Sequence, residues 1–338
     1  MNKFLSICTS ICVAIALLVS FGFGANRKIA QTGMKFLVVS SDARLSAMSS
    51  AATSLDENGS EALFYNPSSM ANAAWNMNLV VGQTQWIAGI DYTYGALAYR
   101  PDQGQYGVFG LTFMSADYGD LMGTIRAENE QGYLDVGTFS PSSYAIGIGY
   151  AKALSSKFSV GGHAKYVNQD LVGGFADFSS DESGEAENFE ENVWAFDFGI
   201  LYKTGYKSLN FGMSIRNFSQ EIEYIQESLQ LPLTFEMGLS MNVLDFADIS
   251  PAQHSLLVSI DAAHPRDFEE QLDFGFEYMF NKMFALRMGY TTPTDEQGLS
   301  FGLGFNQSIS NYNLKLDYSY TDFGVFENIN RFTLKFSF

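Results

Sequence analysis

The chain has 338 residues, enough for one large domain or two ordinary ones, and 46% of them are hydrophobic although no long apolar run occurs beyond the N-terminus. Its formal net charge of −18 argues against a nucleic-acid partner. Both cysteines, Cys8 and Cys12, lie near the start, so the rest of the chain has no thiol for a disulfide, a nucleophile or a metal site.

Lys3, an apolar stretch from Ile11 to Phe23 and the small-residue site "GFGA" have the anatomy of a secretory signal peptide over residues 1–24. That stretch is shorter than the roughly 20 residues a spanning helix needs. Residues 25–76 form the next unit. Ala43 to Thr53 is rich in Ala, Ser and Met without two-residue alternation, Asp56 to Gly59 reads as a turn, and Asn66-Pro67 breaks any helix. The reading is a plug segment that precedes a barrel and folds into its lumen.

From residue 77 apolar and polar residues alternate, with turn residues between segments. Leu299, Phe301, Leu303 and Phe305 oppose Ser300, Gly302, Gly304 and Asn306; Leu314, Leu316, Tyr318 and Tyr320 oppose Lys315, Asp317, Ser319 and Thr321. The pattern predicts strands at 77–86, 91–100, 105–118, 143–153, 158–171, 193–204, 209–219, 231–243, 254–264, 271–280, 283–292, 299–308, 312–322 and 330–338. Most have the roughly 9–11 residues that a tilted strand needs to cross a bilayer, and the count is even.

Apart from the short 87–90 loop and the long 244–253 turn, long connections alternate with short ones, as an outer-membrane barrel requires and a soluble sandwich does not. Residues 119–142, 172–192 and 220–230 fall on the outer side, and 101–104, 154–157 and 281–282 return on the periplasmic side. The fold class is therefore all-β: a 14-stranded antiparallel transmembrane β-barrel over residues 77–338, in the bacterial outer membrane. A closed barrel is the one sheet that spans hydrocarbon without unpaired backbone groups. The chain ends in "RFTLKFSF", whose aromatic last residue, Phe338, fits a barrel-assembly signal. Trp86 and Trp194 would mark one membrane interface and Trp75 the other, or lie near strand ends by chance.

The expected lumen is lined by Gly147, Gly149, Gly161, Gly199, Gly212, Gly238, Gly275, Gly289, Gly302 and Gly304. They either admit the plug or a ligand, or relieve strain in coiled strands. Asp197, Arg216, Glu236, Asp261, Asp273, Glu277, Arg287, Lys315, Asp317, Arg331 and Lys335 also point inward, and the mixed signs are expected to pair with one another and with Arg44 of the plug. In the 172–192 loop, Phe175, Phe178, Asp181, Glu182 and Phe189 would be the partner-binding residues, against the alternative of a solvated loop. No cofactor or metal is expected: His163, His254 and His264 lack ligand spacing, and no nucleophile elbow or phosphate loop occurs.

The segment before the barrel carries a resemblance. Phe36-Leu37, Asp42-Ala43-Arg44, Met48 and "ALFYNPSSMA" with Asn66-Pro67 resemble the N-terminal signature of the PorV/PorQ outer-membrane proteins, which belong with barrels related to the fatty-acid transporter FadL. Ala47-Met48-Ser49 and Asn66-Pro67-Ser68-Ser69 depart from the Gly-rich forms common there. The resemblance implies a non-catalytic carrier or docking component for cargo of the type IX protein secretion system. Its partners would be the lipid bilayer and lipopolysaccharide, secreted cargo signal domains and translocon components. The alternative is a FadL-like transporter of hydrophobic solutes.

Overall fold

Two-residue alternation sends successive side chains to opposite faces of a strand, and here it leaves one face apolar and the other polar. The computed structural model describes residues 32–56, 59–172, 189–224, 227–247, 250 and 253–338; the expected signal peptide lies outside them. Eighteen strands form among the described residues: β1 (Met77–Gln85), β2 (Asp91–Tyr99), β3 (Val108–Asp117), β4 (Leu121–Arg126), β5 (Tyr133–Phe139), β6 (Ser142–Ala153), β7 (Phe158–Asp170), β8 (Glu190–Lys203), β9 (Asn210–Ser219), β10 (Ile222–Tyr224), β11 (Glu227–Leu229), β12 (Thr234–Asn242), β13 (His254–Pro265), β14 (Gln271–Phe280), β15 (Phe284–Thr292), β16 (Ser300–Ile309), β17 (Tyr312–Thr321) and β18 (Ile329–Ser337). Fourteen close into an antiparallel barrel, all but the pairs β4–β5 and β10–β11.

The last strand closes the ring against the first, with Asn78 opposite Ser337 and Gln85 opposite Asn330. Phe338 follows directly. Its carbonyl accepts from the backbone N–H groups of Asn76 (2.7 Å) and Met77 (2.9 Å), so the two ends of the wall meet on the side of the short turns. All fourteen expected strands are present, with ends that differ by three residues or fewer.

β18 shows how the faces divide: Arg331, Thr333 and Lys335 are 3–4% exposed, whereas Phe332 is 55% and Leu334 40% exposed. The same outward exposure recurs at Leu111, Ile148, Phe198, Leu239, Leu286 and Leu303 around the ring. So large an apolar girdle on a closed sheet is the surface that hydrocarbon solvates.

Two expected irregular loops instead contain hairpins. The β4–β5 pair lies within residues 119–142, and β10 pairs with β11 through Ile222 opposite Leu229 and Glu223 opposite Ser228. The alternation in "LMGTIR" and "YLDVGTF" could have signalled the first pair, but neither strand joins the wall. The expected tryptophan belt also fails. Trp194 faces outward, but Trp86 leaves the strand and packs on Phe323, with ring centroids 5.4 Å apart, and Trp75 packs against the buried Ala62 and Met70 group.

Candidate functional site

Residues 34–56 and 59–73 lie against the inward face of the wall. Asp42 starts the five-residue helix α1 (Ala43–Ala47), its Oδ1 accepting from the Leu45 N–H at 2.9 Å. Such a cap satisfies a donor that the helix cannot. Its other oxygen accepts from the Tyr94 hydroxyl (3.1 Å) and lies 2.8 Å from Lys335 Nζ, so one side chain both begins the helix and ties it to β2 and β18. The Ala43 N–H donates to Thr333 Oγ1 at 2.9 Å.

Arg44 projects the other way. Its Nε and Nη2 donate to the two oxygens of Glu277, each at 2.8 Å, and Glu277 also accepts from Arg287 (2.6 Å), which reaches Asp317 (2.7 Å). Lys335 additionally donates to Glu61 at 2.8 Å. Burial of Glu61 favours its neutral form, but the adjacent Lys335 ammonium outweighs this and holds the carboxyl down at about 2.

Asn66 anchors the far side of the segment. Its Oδ1 accepts from the Ser68 N–H (3.1 Å) and hydroxyl (2.6 Å), and its Nδ2 donates to the carbonyls of Thr53 (2.6 Å) and Ile200 (3.0 Å). Pro67 then opens a 3₁₀ turn, where its missing N–H costs nothing. The backbone at Pro67 and Ser68 passes so close to Gly161 that an added Cβ would lie 2.5 Å away.

The inward glycines thus have a contact explanation. An added Cβ would meet Leu63 at Gly149, Pro67 and Ser68 at Gly161, Asn66 at Gly199, Thr53 at Gly212, Met48 at Gly275, Met48 and Ser49 at Gly289, and Ala47 at Gly302, all within 3.0 Å. Gly147, Gly238 and Gly304 instead make room for the wall's own His163, Asp261, and Arg287 with Asp317. Gly110, absent from the sequence reading, also receives Leu63.

The motif residues do not converge on one point. Phe36 and Leu37 enter an apolar cluster with Tyr92 and Tyr94; Asp42, Ala43 and Arg44 face β18 and β14; Met48 sits on β14 and β15; Asn66 and Pro67 sit on β7 and β8. Of the loop residues, Phe175, Phe178, Asp181 and Glu182 lie outside the described residues. Phe189 is half-buried at the loop base, its carbonyl accepting from Leu171.

Charge pairing within the lumen is less complete than expected. Asp261 accepts from the Thr53 N–H (2.8 Å) and Asp273 from the Thr291 hydroxyl (2.6 Å), while Arg331 donates to the Ser40 carbonyl (2.7 Å). Among the described residues Lys315 pairs with no carboxylate. The reason is local: Asp261, Asp273 and Arg331 face backbone and hydroxyl partners that the strand pattern does not reveal.

One network escaped the sequence reading. The Thr112 hydroxyl, His163, Asp197 and Lys165 form a buried chain, with contacts of 2.8 Å (Thr112–His163), 2.9 Å (His163–Asp197) and 2.8 Å (Lys165–Asp197). A bulge helps to build it, since Arg216 and Asn217 of β9 stand opposite Asp197 alone, and the Asn217 N–H donates to Asp197 Oδ1 at 2.7 Å. The first three residues have the order of a catalytic triad, but all are at least nine-tenths buried in the wall and beneath the N-terminal segment. The inward parity of His163 and Lys165 on β7 was the available signal. A cavity of 40 Å³ beside Lys165 and Asn217, bounded by Ser40, Ser41 and Tyr65, separates segment from wall.

A fourteen-stranded antiparallel barrel with an apolar girdle, its inner face covered by the chain's own N-terminal segment, defines an outer-membrane β-barrel. The solved structures agree on the fold. The CymD monoaromatic hydrocarbon channel superposes with a TM-score of 0.57 at 12% identity, covering 89% of this chain and 98% of that one. The Pseudomonas putida toluene transporter TodX gives 0.52 at 14%, covering 84% and 94%, and a Pseudomonas aeruginosa FadL homologue gives 0.52 at 12%, covering 93% and 99%. No curated protein matches the chain. The family profile described as type IX secretion system membrane protein PorP/SprF matches residues 120–333, more than half of the chain, and the protein belongs to that family.

Proposed function

We propose that the protein is a non-catalytic docking component of type IX secretion, with residues 25–76 as the plug of its lumen and its outer face as the surface that holds secreted cargo signal domains or translocon components. Family membership over residues 120–333 carries this reading. The branch we favour is PorV/PorQ-like, on the strength of the signature at Phe36, Leu37, Asp42, Ala43, Arg44, Met48, Asn66 and Pro67, all of which precede the matched region. The ion pairs from Arg44 to Glu277 and from Lys335 to Asp42 and Glu61 support a plug that stays in place during docking.

The second reading, passage of hydrophobic solutes, is favoured by the likeness of the barrel to the toluene transporter TodX. Against it stands the narrowness of the space between segment and wall, a cavity of 40 Å³ lined by Val39, Phe64 and Met114 as well as Ser40, Lys165 and Arg216. Mild cross-linking in native outer membrane, followed by affinity purification and mass spectrometry, separates the two. Recovery of translocon proteins, or of proteins sharing a C-terminal signal domain, supports docking. Recovery of the barrel alone with bound apolar ligand overturns it in favour of transport.

A further inference from the structure

On β7 the side chains of His163, Lys165 and Val167 are buried inward, which leaves Gly162 and Ala164 on the outward face. Their cross-strand neighbours there are bulky: Tyr150 and Ile148 on β6, Phe198 and Phe196 on β8. Two small residues between two large pairs leave a trough of 670 Å³ in the girdle, which continues past Phe109 to Tyr99. Its floor is open at Gly162, where an added Cβ would find its nearest neighbour 3.7 Å away.

Charge is unevenly placed along the same strands. Where they turn back through the short connections, residues 100–107, 151–158 and 202–209 hold Arg100, Lys152, Lys157, Lys203 and Lys207 against one carboxylate, Asp102. The opposite ends carry Asp117, Asp170 and Glu190. Lys203 pairs with Asp56, while Arg100 and Lys207 donate to backbone carbonyls. Lys152 and Lys157 pair with no carboxylate among the described residues, and Lys157 Nζ lies 3.5 Å from the Thr204 carbonyl. Lys152 follows Tyr150 by two positions on β6 and so shares its outward face.

Length links the two features. The six steps from Phe158 to Ala164 span about 20 Å along the strand and about 15 Å along the membrane normal at a tilt of about 40°, half of a roughly 30 Å hydrocarbon core. The trough therefore covers one leaflet, the one on the side of the short turns, with the exposed rings of Tyr99 and Tyr150 toward its interface. A chain lying in the trough ends near the lysines.

We infer that this face seats one anionic glycerophospholipid of the periplasmic leaflet: an acyl chain fills the trough over Gly162 and Ala164, and the headgroup meets Lys152 and Lys157. Hydrocarbon on an even wall gains nothing by its position, whereas a chain between Tyr150 and Phe198 gains contact on both flanks. The lysines attract an anionic headgroup more than a zwitterionic one. A second copy of this chain is disfavoured as the occupant, because the same cation-rich rim on both copies would repel. The inference rests on this face and holds whether or not the protein serves secretion.

The full chain, extracted in a mild detergent, is titrated with dioleoyl phosphatidylglycerol and, separately, with dioleoyl phosphatidylcholine, and bound lipid is counted by native mass spectrometry. The expected result is one phosphatidylglycerol per barrel, held about tenfold more tightly than phosphatidylcholine. Lys152→Gln combined with Lys157→Gln should abolish that preference. Gly162→Leu should weaken both lipids about tenfold by filling the trough. The compact electrophoretic form reports that each variant is folded, and Ala164→Leu fills the same trough if Gly162→Leu fails to fold. Equal affinity of the wild type for the two lipids, a preference unchanged in the lysine variant, or binding unchanged by a filled trough overturns the proposal. A dimer that Gly162→Leu disperses while lipid binding stays constant identifies a second copy as the occupant and also overturns it. The assay contains no secretion component, so its failure and that of the docking reading are distinguishable.

Discussion

Lys335 Nζ lies 2.8 Å from Asp42 Oδ2, joining the last wall strand to the residue that starts the only α-helix among the described residues. Both side chains are almost fully enclosed, and Glu61 makes a third member 2.8 Å from the same ammonium. Two carboxylates share one cation across the boundary between segment and wall.

Replacing Lys335 with Met leaves Asp42 and Glu61 buried without that cation. Breaking a buried pair from one side costs about 3–5 kcal/mol, so the thermal midpoint of the folded barrel, read as loss of its compact electrophoretic form, should fall clearly. Adding Asp42→Asn and Glu61→Gln to Lys335→Met should restore part of the loss. An unchanged midpoint in the single variant would remove this cluster from the forces that hold the segment.

Acidification addresses the same cluster. The Glu61 carboxyl sits at about 2 in the folded state against an ordinary value of 4.5. A depressed folded value means that the stabilisation is fully present above 4.5 and is lost as pH falls from there through about 2. The advantage of wild type over Glu61→Gln in thermal midpoint should therefore be greatest near neutrality and shrink across that window. A constant difference down to pH 2 would show that ionised Glu61 is not what Lys335 holds.

Gly212 and Gly162 separate the two faces of the wall. A Cβ at Gly212 would lie 2.0 Å from the Thr53 carbonyl oxygen, whereas at Gly162 its nearest neighbour is 3.7 Å away. Gly212→Val should displace the segment, costing about 1–3 kcal/mol as overpacking and raising conductance in planar bilayers. Gly162→Ala should leave both unchanged. Equal behaviour of the two variants would contradict a segment seated on the inner wall.

Leu303 lies near the middle of β16 and is 57% exposed on the outward face. If hydrocarbon covers it, Leu303→Arg should destabilise the barrel by about 2–4 kcal/mol, and the same change near a strand end by much less. Urea titration in lipid vesicles measures both. A depth-independent cost would argue against a lipid-facing girdle at this strand.

The strands were legible because a sheet has a period of two and each strand here carries one oily face; "RFTLKFSF" alone separates Phe332 and Leu334 from Arg331, Thr333 and Lys335. The inward glycines were legible as a row, but not for their contacts. Whether Gly199 relieves strain or admits Asn66 depends on a residue more than a hundred positions away. The Thr112, His163, Asp197 and Lys165 network was hidden for the same reason, since three strands and a bulge bring it together.

By itself the sequence determined the number of wall strands and which face of each is apolar, because these follow from local periodicity. Closure of β1 on β18 and the seating of residues 34–56 and 59–73 were decided only by the tertiary structure. Those features depend on side chains from distant strands meeting across the lumen, where distance and burial, rather than spacing along the chain, set which charges pair.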